Sequence, residues 1–178
     1  MADYLVISAL GEDRPGLVSR LTGAIAECGC NVEDSRMSVL GTEFAVILLL
    51  SGESDAVVRA GQAARSVGAE LGLLVTIKAT GAPSQRRAAN RVPYEVRAVC
   101  LDHPGVVHEI SHFLARRRIN IGDLITTTYP APITGAPMFS LRMQIEVPAD
   151  QPLSALRREL GEFCERLGVD SEIHPAKG

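Results

Sequence analysis

"DRPG", Asp13–Gly16, is a short turn sequence between two apolar runs, "YLVISALG" before it and "LVSRLTGAIA" after it. A turn of the same type, "DHPG", returns at Asp102–Gly105 and again lies between apolar runs. A motif that recurs in the same setting indicates an internal repeat, and a repeat determines how the rest of the chain is interpreted.

The two halves of the chain align outward from this turn. A shift of 89 residues pairs Asn31 with Asn120, and a shift of 95 pairs Phe44 with Phe139. The shift grows because the second half has a longer loop, "YPAPITGAP" at 129–137, where the first half has only a tight turn at 40–42. The sequence therefore predicts a duplicated domain of about 80 residues, since domains of that size can bury a modest core.

We expect domain 1 to span residues 1–80 and domain 2 to span residues 93–178. The intervening stretch, "GAPSQRRAANRV" at 81–92, is polar and has Gly, Pro and Ser near its start. This composition is typical of a linker.

Each copy contains the same order of predicted elements. Alternating or continuous apolar runs predict strands, and apolar residues at helical spacing predict helices. The order is β-α-β-β-α-β, which predicts an α+β protein of two tandem ferredoxin-like units, each an antiparallel sheet with its helices on one face. In the first copy we expect Asp13 or Arg14 to cap the first helix and Ser54 or Asp55 to cap the second. The predicted elements of that copy are Tyr4–Leu10, Pro15–Cys28, Asn31–Leu40, Glu43–Ser51, Ser54–Leu71 and Leu73–Ala79.

Composition and charge exclude several classes of function. The net charge is −4 over residues 1–80 and −2 over residues 92–178, so neither copy offers the basic surface that non-specific DNA binding needs. Aromatic residues are 4% of the chain, too few for base-stacking platforms. The N-terminus lacks the basic region of an export signal, and the four cysteines form no disulfide pattern. We expect a cytoplasmic protein without membrane spans or cofactors.

The chemistry of the repeated turn favours an anion. Free N–H groups at the start of a helix form a site suited to a carboxylate, and a glycine lets a ligand approach the backbone closely. A side-chain oxygen of Asp13 or Asn31 can accept a hydrogen bond from an ammonium group. Two structural alternatives remain open: the turn is only a good strand-to-helix connection, and Asn31 is a left-handed residue that ends the preceding helix.

The turn, the element order and an Asn fifteen residues after the Gly resemble the ACT domain, a small regulatory module that commonly binds amino acids. Two stretches, Leu5–Val18 and Cys28–Gly52, resemble in particular a family of stand-alone tandem-ACT transcriptional repressors. The resemblance implies a ligand held between adjoining domains, by the turn of one and the start of the second strand of the other. The corresponding positions here are Asp13, Arg14, Gly16 and Asn31 in the first copy and Asp102, Gly105 and Asn120 in the second.

The resemblance further implies a non-enzymatic sensor of a small amino acid, glycine first and serine next. The sensor would repress transcription through a DNA-binding activator of the LysR type. Independently of the resemblance, pairing of sheet edges favours a homodimer. The alternative is a regulatory subunit of an amino-acid or folate enzyme. The two repeats fill the sequence, which favours the sensor. Direct DNA binding is disfavoured by the charge distribution.

Two further patterns suggest metal or redox chemistry, and a structural interpretation is favoured for both. "HEISH" at 108–112 matches the HExxH pattern of zinc proteases, but its histidines lie on the helix side opposite Ile110, away from the core. "CGC" at 28–30 lacks the spacing of a CxxC motif and indicates a helix end that packs under the sheet. We expect no catalytic residue and no metal site.

Overall fold

The computed structural model describes residues 2–83 and 90–176. The chain divides into two compact units, Met1–Arg87 and Ala88–Gly178. Both units have the order β-α-β-β-α-β, so the predicted tandem ferredoxin-like α+β fold is confirmed. The elements of the first unit are β1 Asp3–Glu12, α1 Leu17–Glu27, β2 Asn31–Leu40, β3 Glu43–Gly52, α2 Ser54–Glu70 and β4 Leu74–Thr80. Those of the second are β5 Arg91–Leu101, α3 Val106–Arg116, β6 Asn120–Pro130, β7 Pro137–Pro148, α4 Leu153–Arg166 and β8 Asp170–Pro175.

Each unit contains one four-stranded antiparallel sheet, in the order β2-β3-β1-β4 in the first and β6-β7-β5-β8 in the second. Alternate residues of the central strands are buried beneath the two helices, as the period-2 pattern predicts. In β1 these buried residues are Leu5, Ile7 and Ala9, and in α1 the buried face consists of Leu17, Leu21 and Ile25. The core of each unit therefore lies between its sheet and its helices, and among the described residues no helix of the same unit covers the opposite face of the sheet.

The strands β2 and β6 lie at the edge of their sheets. Every residue of β2 is exposed, and only the first two residues of β6 are partly covered. An exposed edge presents unpaired backbone N–H and C=O groups and can pair with another strand. Each edge strand also contains a bulge at the same place, between Val32 and Asp34 in β2 and between Ile121 and Asp123 in β6.

Several predicted boundaries differ from the structure. The first helix begins at Leu17 rather than Pro15, because Gly16 has a left-handed backbone (φ 95°) that cannot be part of a helix. The predicted side-chain caps are wrong: no side chain caps α1 or α2, and the Ser54 hydroxyl donates to Asp3 instead.

The linker differs as well. Of the predicted linker 81–92, residues 84–89 lie outside the described residues. Arg91 and Val92 already belong to β5, where they pair with Pro148 and Val147 of β7. No helix in the described residues combines the length and apolar character that a bilayer crossing requires.

Candidate functional site

The two repeated turns have the same geometry. In the first, the N–H of Asp13 donates to the carbonyl of Thr42 at 2.9 Å, and Gly16 has φ 95° and ψ −7°. In the second, the N–H of Asp102 donates to the carbonyl of Pro137 at 2.9 Å, and Gly105 has φ 100° and ψ −13°. Glycine is favoured at these positions because other residues rarely adopt this backbone conformation.

The start of each helix leaves backbone donors free. The first intrahelical bond of α1 runs from the N–H of Arg20 to the carbonyl of Gly16, and that of α3 from Glu109 to Gly105. The N–H groups before these bonds have no helical acceptor, and no side chain caps either helix within the described residues. A Cβ at Gly16 or Gly105 would meet no atom within 4 Å. The space above both turns is therefore open to a ligand.

Arg14 is directed away from this opening. Its Nη2 atom donates to the carbonyl of Leu71, which is the residue that ends α2. A cation is favourable at a helix C-terminus, where it satisfies a carbonyl that has no helical partner. Arg14 thus ties the turn to the end of α2, whereas the matching residue of the second copy, His103, has a hydrogen-bond contact with its neighbour Pro104.

Asn31 is the first residue of β2, and Gly29 (φ 80°) is the left-handed residue that ends the preceding helix, so the alternative of a left-handed Asn31 is wrong. Nδ2 of Asn31 donates to Oε1 of Glu33 at 3.2 Å, and the hydroxyl of Ser51 donates to the same oxygen. These donors, Ser51 first, hold the pKa of Glu33 below its usual range. Since the amide nitrogen is bound in this way, the amide oxygen of Asn31 points elsewhere and can accept.

The second copy builds the same arrangement from different residues. Nδ2 of Asn120 donates to Oε2 of Glu146 at 2.9 Å, and Glu146 lies opposite Asn120 on β7, where Ser51 lies opposite Asn31 on β3. Gly122 occupies the bulge position that Glu33 occupies in β2. A carboxylate thus orients the asparagine in both copies. Neither carboxylate is predicted from the sequence, because Glu33 reaches Asn31 through the bulge of β2 and Glu146 reaches Asn120 through the register of β6 with β7.

Within one unit the turn and the asparagine lie far apart. Asp13 follows the last residue of β1, and Asn31 pairs with Ser51 next to the first residues of β1. The ten residues of β1 separate the two ends by about 30 Å at 3.3 Å per residue. Asp13 and Asn31 of one unit therefore cannot contact the same small ligand.

The second turn adjoins a shallow depression of about 490 Å³. Its lining is mostly apolar and includes Val106, Val107 and Phe139, with His103 and His108 at its side. The first turn has acidic surroundings instead, since Glu12 pairs with Glu43 beside Asp13, whereas Leu101 pairs with Met138 beside Asp102. The two turns have the same backbone conformation but differ in the charge around them.

An ACT domain model matches residues 3–78 of this chain. The glycine cleavage system transcriptional repressor of Escherichia coli K12 is 33% identical over 171 residues, which cover 96% of this chain and 89% of that repressor. The repressor of the same name from Shigella flexneri matches with the same figures. The chain belongs to this repressor family. Residues 3–78 are an ACT domain, as the turn and the element order predict.

Two solved structures resemble the whole chain. A crystal structure of an unknown protein from Galdieria sulphuraria has a TM-score of 0.85 at 26% identity. The match covers 99% of this chain and 100% of that protein's chain. A protein provisionally described as a glycine cleavage system transcriptional repressor has a TM-score of 0.74 at 25% identity. The match covers 100% of this chain and 99% of that protein's chain. Membership of the repressor family makes the chain a regulatory protein, and the ACT architecture supports an amino-acid-sensing role.

The structure agrees with the structural interpretation of the two remaining motifs. His108 and His112 are exposed on α3 with ring centroids 5.9 Å apart, and in the described residues no group of three or more His, Cys, Asp or Glu side chains could hold a metal. Cys28 and Cys30 are partly buried against the core of the first unit. Burial, and next the neighbouring Cys28, raises the pKa of the Cys30 thiol, which makes it a poor nucleophile.

Proposed function

We propose that the chain senses a small amino acid, glycine first and serine next, and represses transcription by acting on a DNA-binding activator of the LysR type. The observation that carries this proposal is the first turn, where an uncapped helix start and a carboxylate lie side by side in a member of a repressor family. An amino acid needs such a pair of partners, since it presents a carboxylate and an ammonium group only a few ångströms apart.

The carboxylate end of the ligand is bound by the start of α1. The N–H groups near Gly16 point out of the helix, and the helix dipole adds about half a positive charge at this end. The left-handed conformation of Gly16 and the open space above it let the carboxylate reach these donors. Arg14 acts as a positioning residue, because it holds the turn to the end of α2.

The ammonium end is bound by Asp13. Glu12 and Glu43 lie in register next to it and add negative potential that favours a cation. The equivalent neighbours of Asp102 are Leu101 and Met138, which add none. The first turn therefore suits a zwitterion better than the second, and we assign it the tighter site.

The remaining contact comes from an asparagine of a neighbouring unit, either Asn31 or Asn120. Antiparallel pairing of β2 with the β2 or β6 edge of another unit places the start of one strand beside the end of the other. The end of β2 lies at the same end of its sheet as the turn Asp13–Gly16. In this proposal, such pairing brings the amide oxygen of an asparagine to the end of the neighbouring sheet that carries the turn.

A thermal-shift screen over the common amino acids tests this assignment. At a ligand concentration 100 times Kd the folded state gains about 2.7 kcal/mol, which raises the Tm of a unit of this size by at least about 10 °C. Glycine is expected to give the largest shift. Asp13→Asn keeps the shape of the side chain but loses a charge-assisted hydrogen bond of about 1.5–3 kcal/mol, so affinity falls about tenfold or more. The matched variant Asp102→Asn is expected to keep most of the shift; equal losses in both variants would contradict the assignment to the first turn.

Repression through a partner predicts weak binding of the chain itself to DNA. Both repeats are acidic, so few phosphates are neutralised on contact. We expect a Kd no tighter than about 10⁻⁴ M for duplex DNA at physiological salt, measured by fluorescence anisotropy with the protein alone. Nanomolar binding to an operator duplex in the absence of any activator would show that the chain represses directly.

A further inference from the structure

The helix-free face of the first sheet is apolar and exposed. We call it the open face of the first unit, and its aliphatic members on β1, β3 and β4 are Val6, Leu10, Ala45, Ile47, Leu49 and Leu74. Leu74 is 68% exposed, Leu10 48% and Ile47 47%. Large exposed apolar patches on a protein of this size mark contact surfaces more often than chance.

The strand register places these residues on one face. Val6 pairs with Leu49, and Leu10 pairs with both Ala45 and Leu74. Between them Ser8 pairs with Ile47 and Thr76, and the two hydroxyl oxygens of Ser8 and Thr76 are 2.6 Å apart. Cross-strand partners point to the same side of a sheet, so the six apolar side chains and this hydroxyl pair form one continuous surface.

The same face of the second unit is charged. The repeat alignment and the matching register assign a counterpart to each open-face position, and the counterparts are strongly polar at most of them. Val6, Ser8, Ile47, Leu49, Leu74 and Thr76 correspond to Glu95, Arg97, Arg142, Gln144, Asp170 and Glu172. Glu95 and Arg97 form an ion pair of 2.6 Å on this face.

The difference between the two sheet faces shows that the apolar residues of the open face are not needed for folding. The second unit folds around an intact core with charged residues at these positions, so the β-α-β-β-α-β fold does not need them to be apolar. The first unit has an equally intact core on the other side of its sheet. The apolar side chains of the open face therefore serve contact with another surface rather than the stability of the unit.

We propose that the open face of the first unit packs against the same face of a second copy of this chain. The centre of the face holds no charge, whereas Lys78 and the Asp34–Arg36 ion pair lie on its two edge strands and Glu12 and Glu43 lie at the end next to the turn. A two-fold axis therefore places apolar surface on apolar surface and leaves the charges at a polar rim, as in stable interfaces. This dimer is independent of the amino-acid site.

The area of the open face can be compared with that of known dimer interfaces. Four strands about 4.8 Å apart give a width of about 19 Å, and the seven residues from Tyr4 to Leu10 give a length of about 24 Å. The plan area is about 450 Å², so two such faces together bury about 900 Å², the size of a small, reversible interface rather than of a standard one. Two identically twisted sheets also match in shape, since they pack about 10 Å apart at about −30°.

The test uses residues that the chain itself tolerates in the same fold. Ile47→Arg with Leu74→Asp gives the first unit the side chains that Arg142 and Asp170 provide in the second. The mass of the full chain in solution is measured by light scattering after size exclusion from about 1 to 100 µM, without amino acid. The parent is expected at a multiple of the 19.0 kDa chain mass, with half that mass for the double variant.

Matched substitutions on the second unit provide the control. Arg142→Gln with Asp170→Asn changes the corresponding positions and is expected to leave the mass of the parent unchanged. The single variant Ile47→Arg, checked for a folded circular dichroism spectrum, replaces the double variant if the latter unfolds. A parent that is monomeric throughout this range, or a folded variant with the full mass of the parent, would overturn the proposal.

Discussion

Cysteine in place of Gly68 is expected to lower the free energy of unfolding of the first unit by about 3 kcal/mol. Gly68 lies on α2, and a Cβ there would be 2.3 Å from Cγ2 of Val75, closer than real Cβ atoms come to any neighbour. Val75 would have to shift, or helix and strand would have to separate, and overpacking of this kind costs about 1–3 kcal/mol. Thermal melting of the full chain should show the transition of the first unit about 10 °C lower.

The second unit provides the compensating change. Its alignment places Cys164, which is fully buried, at the position of Gly68 and Ser171 at the position of Val75. The smaller residue of the pair lies on the helix in the first unit and on the strand in the second. The double variant Gly68→Cys with Val75→Ser is therefore expected to recover most of the lost stability, because contacting residues couple strongly.

A helical glycine with free space is the control for this pair of variants. A Cβ at Gly23 of α1 would meet no atom within 4 Å. Gly23→Ala is expected to raise the Tm slightly, since alanine is favoured over glycine in helices by about 0.5–1 kcal/mol. A Gly68→Cys variant as stable as the parent would show that α2 can move away from the sheet at little cost.

Asparagine in place of Gly16 is expected to weaken glycine binding by at least about tenfold while the unit stays folded. Asparagine tolerates the left-handed backbone at φ 95° far better than a β-branched residue, for which this conformation costs about 1–3 kcal/mol. The new side chain enters the open space above the turn and displaces the ligand carboxylate from the N–H groups of α1. Losing one or two such charge-assisted bonds, worth about 1.5–3 kcal/mol each, accounts for the expected change.

The sequence predicts the fold because its signals are local and occur twice. The apolar periods of β1 and α1, the turn at 13–16 and the hairpin around Gly41 each follow from a few neighbouring residues, and the repeat confirms them. The predicted start of α1 is wrong by two residues. Pro15 favours the first turn of a helix, but the φ of Gly16 depends on the turn as a whole, which is held by the hydrogen bond from the N–H of Asp13 to the carbonyl of Thr42. The early start of β5 depends on pairing with β7, which no local pattern shows.

The site is predictable only in part for the same reason. The turn residues Asp13 and Gly16 belong to a contiguous motif. In both copies an asparagine, Asn31 or Asn120, follows the glycine of this motif by fifteen residues in the sequence. The carboxylates that orient the asparagines come from a bulge in one copy and from the neighbouring strand in the other. Both depend on strand register. The alternation of apolar and charged residues on the open faces is visible in the sequence, but only the register shows that Ile47 and Leu74 share one surface.

Calorimetric titration of glycine into the full chain tests whether the first turn is an amino-acid site. Glycine has five non-hydrogen atoms, and the best small ligands gain about 1.5 kcal/mol per atom, so the Kd can be no tighter than a few micromolar. An amino-acid site at the first turn predicts saturable binding within this limit, at least about tenfold weaker binding in Gly16→Asn, and little change in the matched variant Gly105→Asn. A folded Gly16→Asn variant that binds glycine as tightly as the parent would contradict it.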